Sequence, residues 1–306
     1  MKHTYIFILA ALILISACAS PTQERQPGDK LNIVATTGMI YDAVINIAGD
    51  SVNVLALMGP GVDPHLYKAT QGDLSKLTEA DLILYNGLYL EGKMGEVFGK
   101  LQRIKPVVAV AEVLPKELLR DNPIYDDAND PHVWFDVSLW RQVVTNTRDV
   151  LVKQDVENAS YYQQNAKAYL QSLDTLHQWV KREIALIPEN QRVLITAHDA
   201  FGYFGDAYSI EVIGLQGVST LSEFGLKDIS ELVKLIVGRQ IKAVFIETSV
   251  SPKAIEAVVT GCRERGHDVV IGGNLYSDAM GPWGTFEGTY IGMVSQNVNT
   301  ITKALK

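Results

Sequence analysis

Apolar residues follow two rhythms along this chain. The first is a series of short, nearly continuous runs: LNIVATT (31–37), VNVLALM (52–58), ADLILYNG (80–87) and VVAVAEV (107–113), then RVLITAH (192–198), IEVIGLQ (210–216), IKAVFIET (241–248) and DVVIGGN (268–274). Runs of that length rich in Val, Ile and Leu predict strands buried on both faces, as in a parallel sheet. Helical patterns separate them, so the expected fold is α/β. It has two lobes, 31–159 and 189–306, each a mostly parallel sheet flanked by helices.

The second rhythm occupies the stretch between the lobes. Tyr162, Ala166, Tyr169, Leu173, Leu176, Val180, Ile184 and Ile187 recur at steps of three and four. That is one apolar stripe on a single long helix over 160–187, closed by Pro188. At 1.5 Å per residue it would measure about 42 Å, enough to join both lobes as a rigid connector (160–188) and to leave them little freedom to close on each other.

The N-terminus departs from both rhythms. A short basic start at Lys2 precedes eleven apolar residues, Tyr5 to Ile15, and then Ser16-Ala17-Cys18. An apolar core of that length suits a signal peptide, since a membrane-spanning helix takes about 20 residues. LISAC resembles a bacterial lipobox, so residues 1–17 read as a lipoprotein signal peptide and Cys18 as the lipidated first residue. Residues 18–30 read as a polar tether. The expected location is the cell envelope, anchored by lipid on the extracytoplasmic side of a membrane.

Composition narrows the function. The chain carries 27 Lys and Arg against 35 Asp and Glu, a formal charge of −8 that becomes −9 once Lys2 is removed. An acidic, unpatterned chain excludes nucleic acid as a partner. Beyond Cys18 the only cysteine is Cys262, so no internal disulfide is available and the core must supply the stability.

Asp-Pro-His occurs twice, in GVDPHLY (61–67) and NDPHVWF (129–135), although the chain has only six histidines. Proline fixes its own φ and pushes the preceding Asp to extended backbone, which makes a stiff loop presenting an imidazole. In open α/β sheets ligands bind beyond the C-terminal ends of strands. His65, His132, His198 and Asp278 all lie past such ends, two in each half. Three imidazoles and a carboxylate suit a borderline divalent ion. Near an unperturbed pKa of about 6.5 the three histidines would admit up to three competing protons as pH falls from about 7 to 5.

The remaining candidates read differently. His3 leaves with the signal peptide, His177 lies beside the apolar stripe of the long helix, and His267 precedes a strand and reads as surface. Asp63 and Asp130 read as loop anchors bonded to backbone. Asp136, Asp199 and Glu247 are candidates for holding a ligand, and Trp134, Phe201, Tyr203 and Phe204 for packing around the cleft.

GVDPHLY, LILYNGLYLE, DPHVWFD, TAHDAFGYF, VFIETSVSPK and LYSDAMG, in that order and behind a lipobox, resemble the TroA-like solute-binding lipoproteins of zinc and manganese ABC importers. The resemblance runs over the whole mature chain. It implies a binding protein with no enzymatic activity, which carries Mn²⁺ or Zn²⁺ as cargo in a cleft between two lobes joined by one helix. It implies an ABC permease with its ATPase subunit as partners, the membrane through the N-terminal lipid, and a monomer. The ligands it implies are the residues matching His65, His132, His198 and Asp278. Some members have Glu where this chain has His198, and the long His- and acid-rich loop of many zinc-directed members is absent. The competing readings are a zinc hydrolase, which would keep an open metal position and a general base and has no HExxH-type motif here, an adhesin, and a chelate receptor, which would want arginines or aromatics at the strand ends.

Overall fold

The computed structural model describes residues 28–122 and 128–306. The signal peptide (1–17), Cys18 and most of the tether lie outside the described residues. Among those residues no helix is long and apolar enough to cross a membrane.

The first half is a four-stranded parallel sheet in the order β2-β1-β3-β4: β1 (Leu31–Ala35), β2 (Val52–Ala56), β3 (Leu82–Tyr85) and β4 (Val107–Ala109). In the central strand Ile33 pairs with Val54 on one side and Leu82 on the other. Both faces are covered, which is why LNIVA and LILY are nearly all buried. Helices α1 (Gly38–Ala48), α2 (Gln71–Glu79) and α3 (Gly95–Leu101) make the connections. Thr70 starts α2 with a capping box, its hydroxyl taking the Asp73 amide while Asp73 takes the Thr70 amide.

Strands β3 and β4 are shorter than the predicted 80–87 and 107–113. The buried carboxylate of Glu91 accepts from the amides of Asn86 and Gly87 and from the Thr36 hydroxyl, so β3 ends at Tyr85. The chain after β4 turns into a 3₁₀ segment at Ala111–Val113.

Helix α4 (Val137–Gln154), capped by Asp136, leads into α5 (Ala159–Ala185). The 27 residues of α5 make a rod of about 40 Å. Its buried face is Tyr162, Ala166, Tyr169, Leu173, Leu176, Val180 and Ile184, seven of the eight predicted positions; Ile187 is buried too but lies beyond the helix, which ends at Ala185. Beyond it lie β5 (Val193–His198), α6 (Gly202–Tyr208), β6 (Glu211–Gln216), α7 (Leu226–Arg239), β7 (Ala243–Glu247), α8 (Lys253–Glu264), β8 (Val270–Leu275) and α9 (Tyr290–Leu305). Here the strands form two parallel pairs, β5-β6 and β7-β8, with β5 running beside β7.

A bulge interrupts β8. Val244 pairs with Ile271 but Phe245 pairs with Gly273, leaving Gly272 extra. A Cβ on Gly272 would come within 2.7 Å of Ala304 and 2.8 Å of the Phe245 ring, and Gly273 has φ +152°. Both positions therefore require glycine. Past the bulge Glu247 is opposite Leu275, so the ends of β7 and β8 deliver Glu247 and the Asp278 loop side by side.

Residues 31–306 form one compact unit. A single apolar cluster runs from Leu31 and Trp140 through the buried face of α5 to Phe245, Met293 and Leu305, so both halves pack on the long helix and share a core. A second, smaller cluster lies around β5, β7, α7 and α8.

Candidate metal centre

Three of the four sequence candidates lie at the C-terminal end of a parallel strand or in the loop directly after it, and the fourth, His132, lies well beyond β4. His65 sits in the loop after β2, and His132 follows the segment after β4 and starts the 3₁₀ turn Val133–Phe135. His198 is the last residue of β5, and Asp278 lies three residues after β8. Their ligating atoms lie within 4.8 Å of one another, and all four residues are buried. His65 Nε2 is 3.3 Å from His132 Nε2. Asp278 Oδ1 is 3.2 Å from His132 Nε2, and Asp278 Oδ2 is 3.3 Å from His198 Nε2 and 3.9 Å from His65 Nε2. All three imidazoles thus turn Nε2 towards one point, with both oxygens of one carboxylate.

The loops hold them there by their own polar groups. Asp63 Oδ1 accepts from the His65 amide at 2.8 Å, and Asp130 Oδ1 accepts from the His132 amide at 2.9 Å, the same turn built twice by the two Asp-Pro-His triplets. Asp130 Oδ1 also takes the His132 Nδ1 proton at 2.7 Å. Glu247 accepts from the His198 amide at 2.9 Å, and its other oxygen lies 2.6 Å from His198 Nδ1. A carboxylate behind an imidazole fixes its tautomer and leaves Nε2 as the donor to a cation.

Charge and burial are unbalanced at the centre. His198 Nε2 and both Asp278 oxygens are buried and have no hydrogen-bond partner among the described residues. Buried polar atoms without partners are costly, and a divalent cation at the point they face would satisfy all of them. Without a cation, protons take that role. Burial, together with the charges of His132 and His198, holds the His65 imidazole down to about 3. Burial also opposes charge on His132, but Asp130 and Asp278 outweigh it and push His132 up to about 9. Against the same opposition Glu247 and Asp278 hold His198 well above the ordinary histidine range. Burial would raise Asp278, yet the two imidazoles beside it keep it well below the usual carboxylate range. Three histidines with ordinary pKa values, the expectation from sequence, are therefore replaced by one held neutral and two held protonated.

The other candidates fall outside the cluster. His177 Nδ1 meets the Tyr208 hydroxyl at 3.1 Å. His267 is half-buried, not a surface residue, because its Nε2 holds the Ile241 carbonyl at 2.8 Å. Asp136 caps α4 through the Ser138 amide. Asp199 lies close enough to feel the charges of His132 and His198, and burial, with Asp130 beside it, pushes its carboxyl up. Phe201 and Phe204 are packed in the core. Trp134 and Tyr203 do more than pack: the Trp134 indole N–H donates to the carbonyl of Ser277, next to Asp278, and the Tyr203 hydroxyl donates to the carbonyl of Asp130. Sequence reasoning missed Thr220, whose hydroxyl reaches Asp63 Oδ2 from the other half at 2.7 Å. No local pattern marks a contact between residues so far apart.

The sequence profile of a family described as zinc-uptake complex component A, periplasmic (ZnuA), matches residues 33–304. The chain belongs to this family. Among ZnuA-family relatives, the manganese-binding lipoprotein MntA of Bacillus subtilis is 51% identical over 300 residues, covering 98% of this chain and 97% of MntA. The zinc-binding protein TroA of Treponema pallidum is 52% identical over 273 residues, 89% of this chain and 88% of TroA. A solved structure of the periplasmic zinc-binding TroA from Treponema pallidum superposes with a TM-score of 0.87 at 51% identity, covering 90% of this chain and 99% of that one. The ZnuA-family fold is thus the helix-joined α/β architecture described above.

Proposed function

We propose that this chain is the extracytoplasmic solute-binding component of an ABC importer, capturing Mn²⁺ or Zn²⁺ as cargo and delivering it to a membrane permease driven by its ATPase subunit. The ligands are His65, His132 and His198 through Nε2, and Asp278 through its carboxylate. Lobes 31–159 and 189–306, joined by 160–188, supply two ligands each. The observation that carries the reading is the convergence of four buried donors around unpartnered Asp278 oxygens. Relatives named for manganese and for zinc stand at nearly equal identity, so cargo rests on the donor set. Three imidazoles suit zinc, while two inward carboxylate oxygens bring the donor atoms to five, one more than tetrahedral zinc takes and in keeping with manganese. We assign no catalytic step: Asp130 and Glu247, the carboxylates beside the imidazoles, are engaged with the outer nitrogens of His132 and His198.

Calorimetric titration of the chelator-stripped chain tests this reading. Saturable binding of one ion per chain is expected for Mn²⁺ and for Zn²⁺, and saturation by neither would sink it. The lipobox-like LISAC leads to a monomer tethered by lipid at Cys18 on the outer side of a membrane. Cys18→Ala should move the protein from the membrane fraction to the soluble fraction on cell fractionation. Retention equal to the parent would refute the anchor while leaving the metal site untouched.

A further inference from the structure

A small cavity, about 10 Å³ and so just large enough for one water molecule, opens beside Asp278. Its walls come from both halves: Thr37, Gly38 and the loop Met58–Pro64 on one side, and Asp278 to Gly281 with Trp283 on the other. It adjoins Asp278, whose carboxylate itself is fully buried, and its walls include Trp283, 45% exposed.

The indole crosses from the second half to lie on the first. Its ring meets Tyr41 of α1 edge-on, with centroids 5.1 Å apart. The surface beneath it is glycine: a Cβ on Gly38 would come 3.6 Å from Trp283 Cη2, and one on Gly59 would come 3.9 Å from Nε1. The ring shares the space over Gly38 with the Met280 side chain and lies over the seam between the halves. The loop bearing it closes on itself at its base, where the Gly281 amide donates to the Glu287 carbonyl and the Thr285 amide to the Pro282 carbonyl. Trp283 is therefore carried at the tip of a braced loop, with one face on the seam and the other in water.

A cavity of one-water volume cannot hold a hydrated divalent ion, and all four candidate ligands are buried, so a wall has to move for an ion to pass. On the first-half side Met58 and Pro64 are buried, while Gly59 and Val62 are half-buried and Pro60 is exposed. The half-exposed indole is the largest side chain in the wall and belongs to none of the apolar clusters, so it can swing out without opening the core. Resting on the metal-binding reading above, we propose that Trp283, seated on Tyr41, Gly38 and Gly59, is the gate through which the ion reaches and leaves the site. A gate of this kind changes how fast the ion arrives and departs while leaving its bound state, and so its affinity, unchanged.

Stopped-flow measurement of Zn²⁺ association, and of Zn²⁺ loss to a chromophoric chelator, tests the proposal on the full chain. Trp283→Ala should raise both rates together by about tenfold or more, with Kd within about twofold. Trp283→Phe should fall between parent and Ala, and Tyr41→Ala should raise both rates less. Phe286→Ala, on the same loop but not in the cavity wall, should change neither. Unchanged rates in Trp283→Ala would overturn the gate. So would a weaker Kd with unchanged association, which would make Trp283 a prop for the Asp278 loop. Failure of the parent to bind Zn²⁺ or Mn²⁺ at all would instead sink the metal reading, an outcome separate from either.

Discussion

Alanine at His132 should reduce Mn²⁺ and Zn²⁺ affinity far more than any substitution outside the cluster. His132 is fully buried, its Nε2 faces both His65 and Asp278, and its Nδ1 is held by Asp130. Truncation removes one donor and leaves the Asp130 carboxylate buried without the imidazole. Substituting the outer partner of a liganding histidine commonly weakens metal binding about 10- to 100-fold, so Asp130→Asn and Glu247→Gln belong in that range and loss of the ligand itself should exceed about 100-fold. His65→Ala, His198→Ala and Asp278→Ala should behave like His132→Ala. His177→Ala and His267→Ala should stay within about twofold, because each is engaged elsewhere, with Tyr208 and with the Ile241 carbonyl, and distant sites act independently. Titration calorimetry across the panel reads this directly. A His177→Ala or His267→Ala loss as large as that of His132→Ala would show the four-residue assignment to be wrong.

Metal capture at neutral pH should expel about two protons, and affinity should fall by about 100-fold for each unit of pH lowered. In the metal-free chain His132 is pushed up to about 9 and His198 lies well above the ordinary histidine range, so both are protonated at neutral pH. His65, held at about 3, is already neutral, and Asp278 is already ionised. A cation must therefore displace protons from two imidazoles. The sign follows: raising pH towards 9 removes the competitor and tightens binding, and lowering it loosens binding without a plateau near neutrality. Titrations near pH 7.5 in two buffers of different ionisation enthalpy count the protons. Release near zero at pH 7.5 that grows only below about 6.5 would mean ordinary histidines and refute this account.

The sequence made much of this legible, and for identifiable reasons. Parallel strands buried on both faces leave continuous apolar runs, and a helix buried on one face leaves a 3.6-residue stripe, so eight strands and the connector could be read with small errors at their ends. The end of β3 was not legible, because it depends on a Glu91 carboxylate five residues away capturing two amides. The two Asp-Pro-His turns and the positions of His198 and Asp278 past strand ends pointed to the four donors. What sequence could not reach was anything decided by contact across the molecule. Thr220 on Asp63, Trp134 on the Ser277 carbonyl and Trp283 on Gly38 join segments with no shared local pattern. The titration of the three histidines was likewise out of reach, since it depends on which carboxylate stands behind each ring.

The single apolar cluster that joins both halves to α5 ties the cargo to the lifetime of the whole carrier. An ion that binds the folded chain and not the unfolded one lowers the population of every opened state. Because that largest cluster spans both halves, opening either half disturbs it, so the protection extends to segments remote from the metal. Loaded carriers then outlast empty ones against proteases, which cut opened chains. Metal supply would in this way set the standing number of carriers as well as their occupancy, and a cell short of metal would turn over the idle ones first.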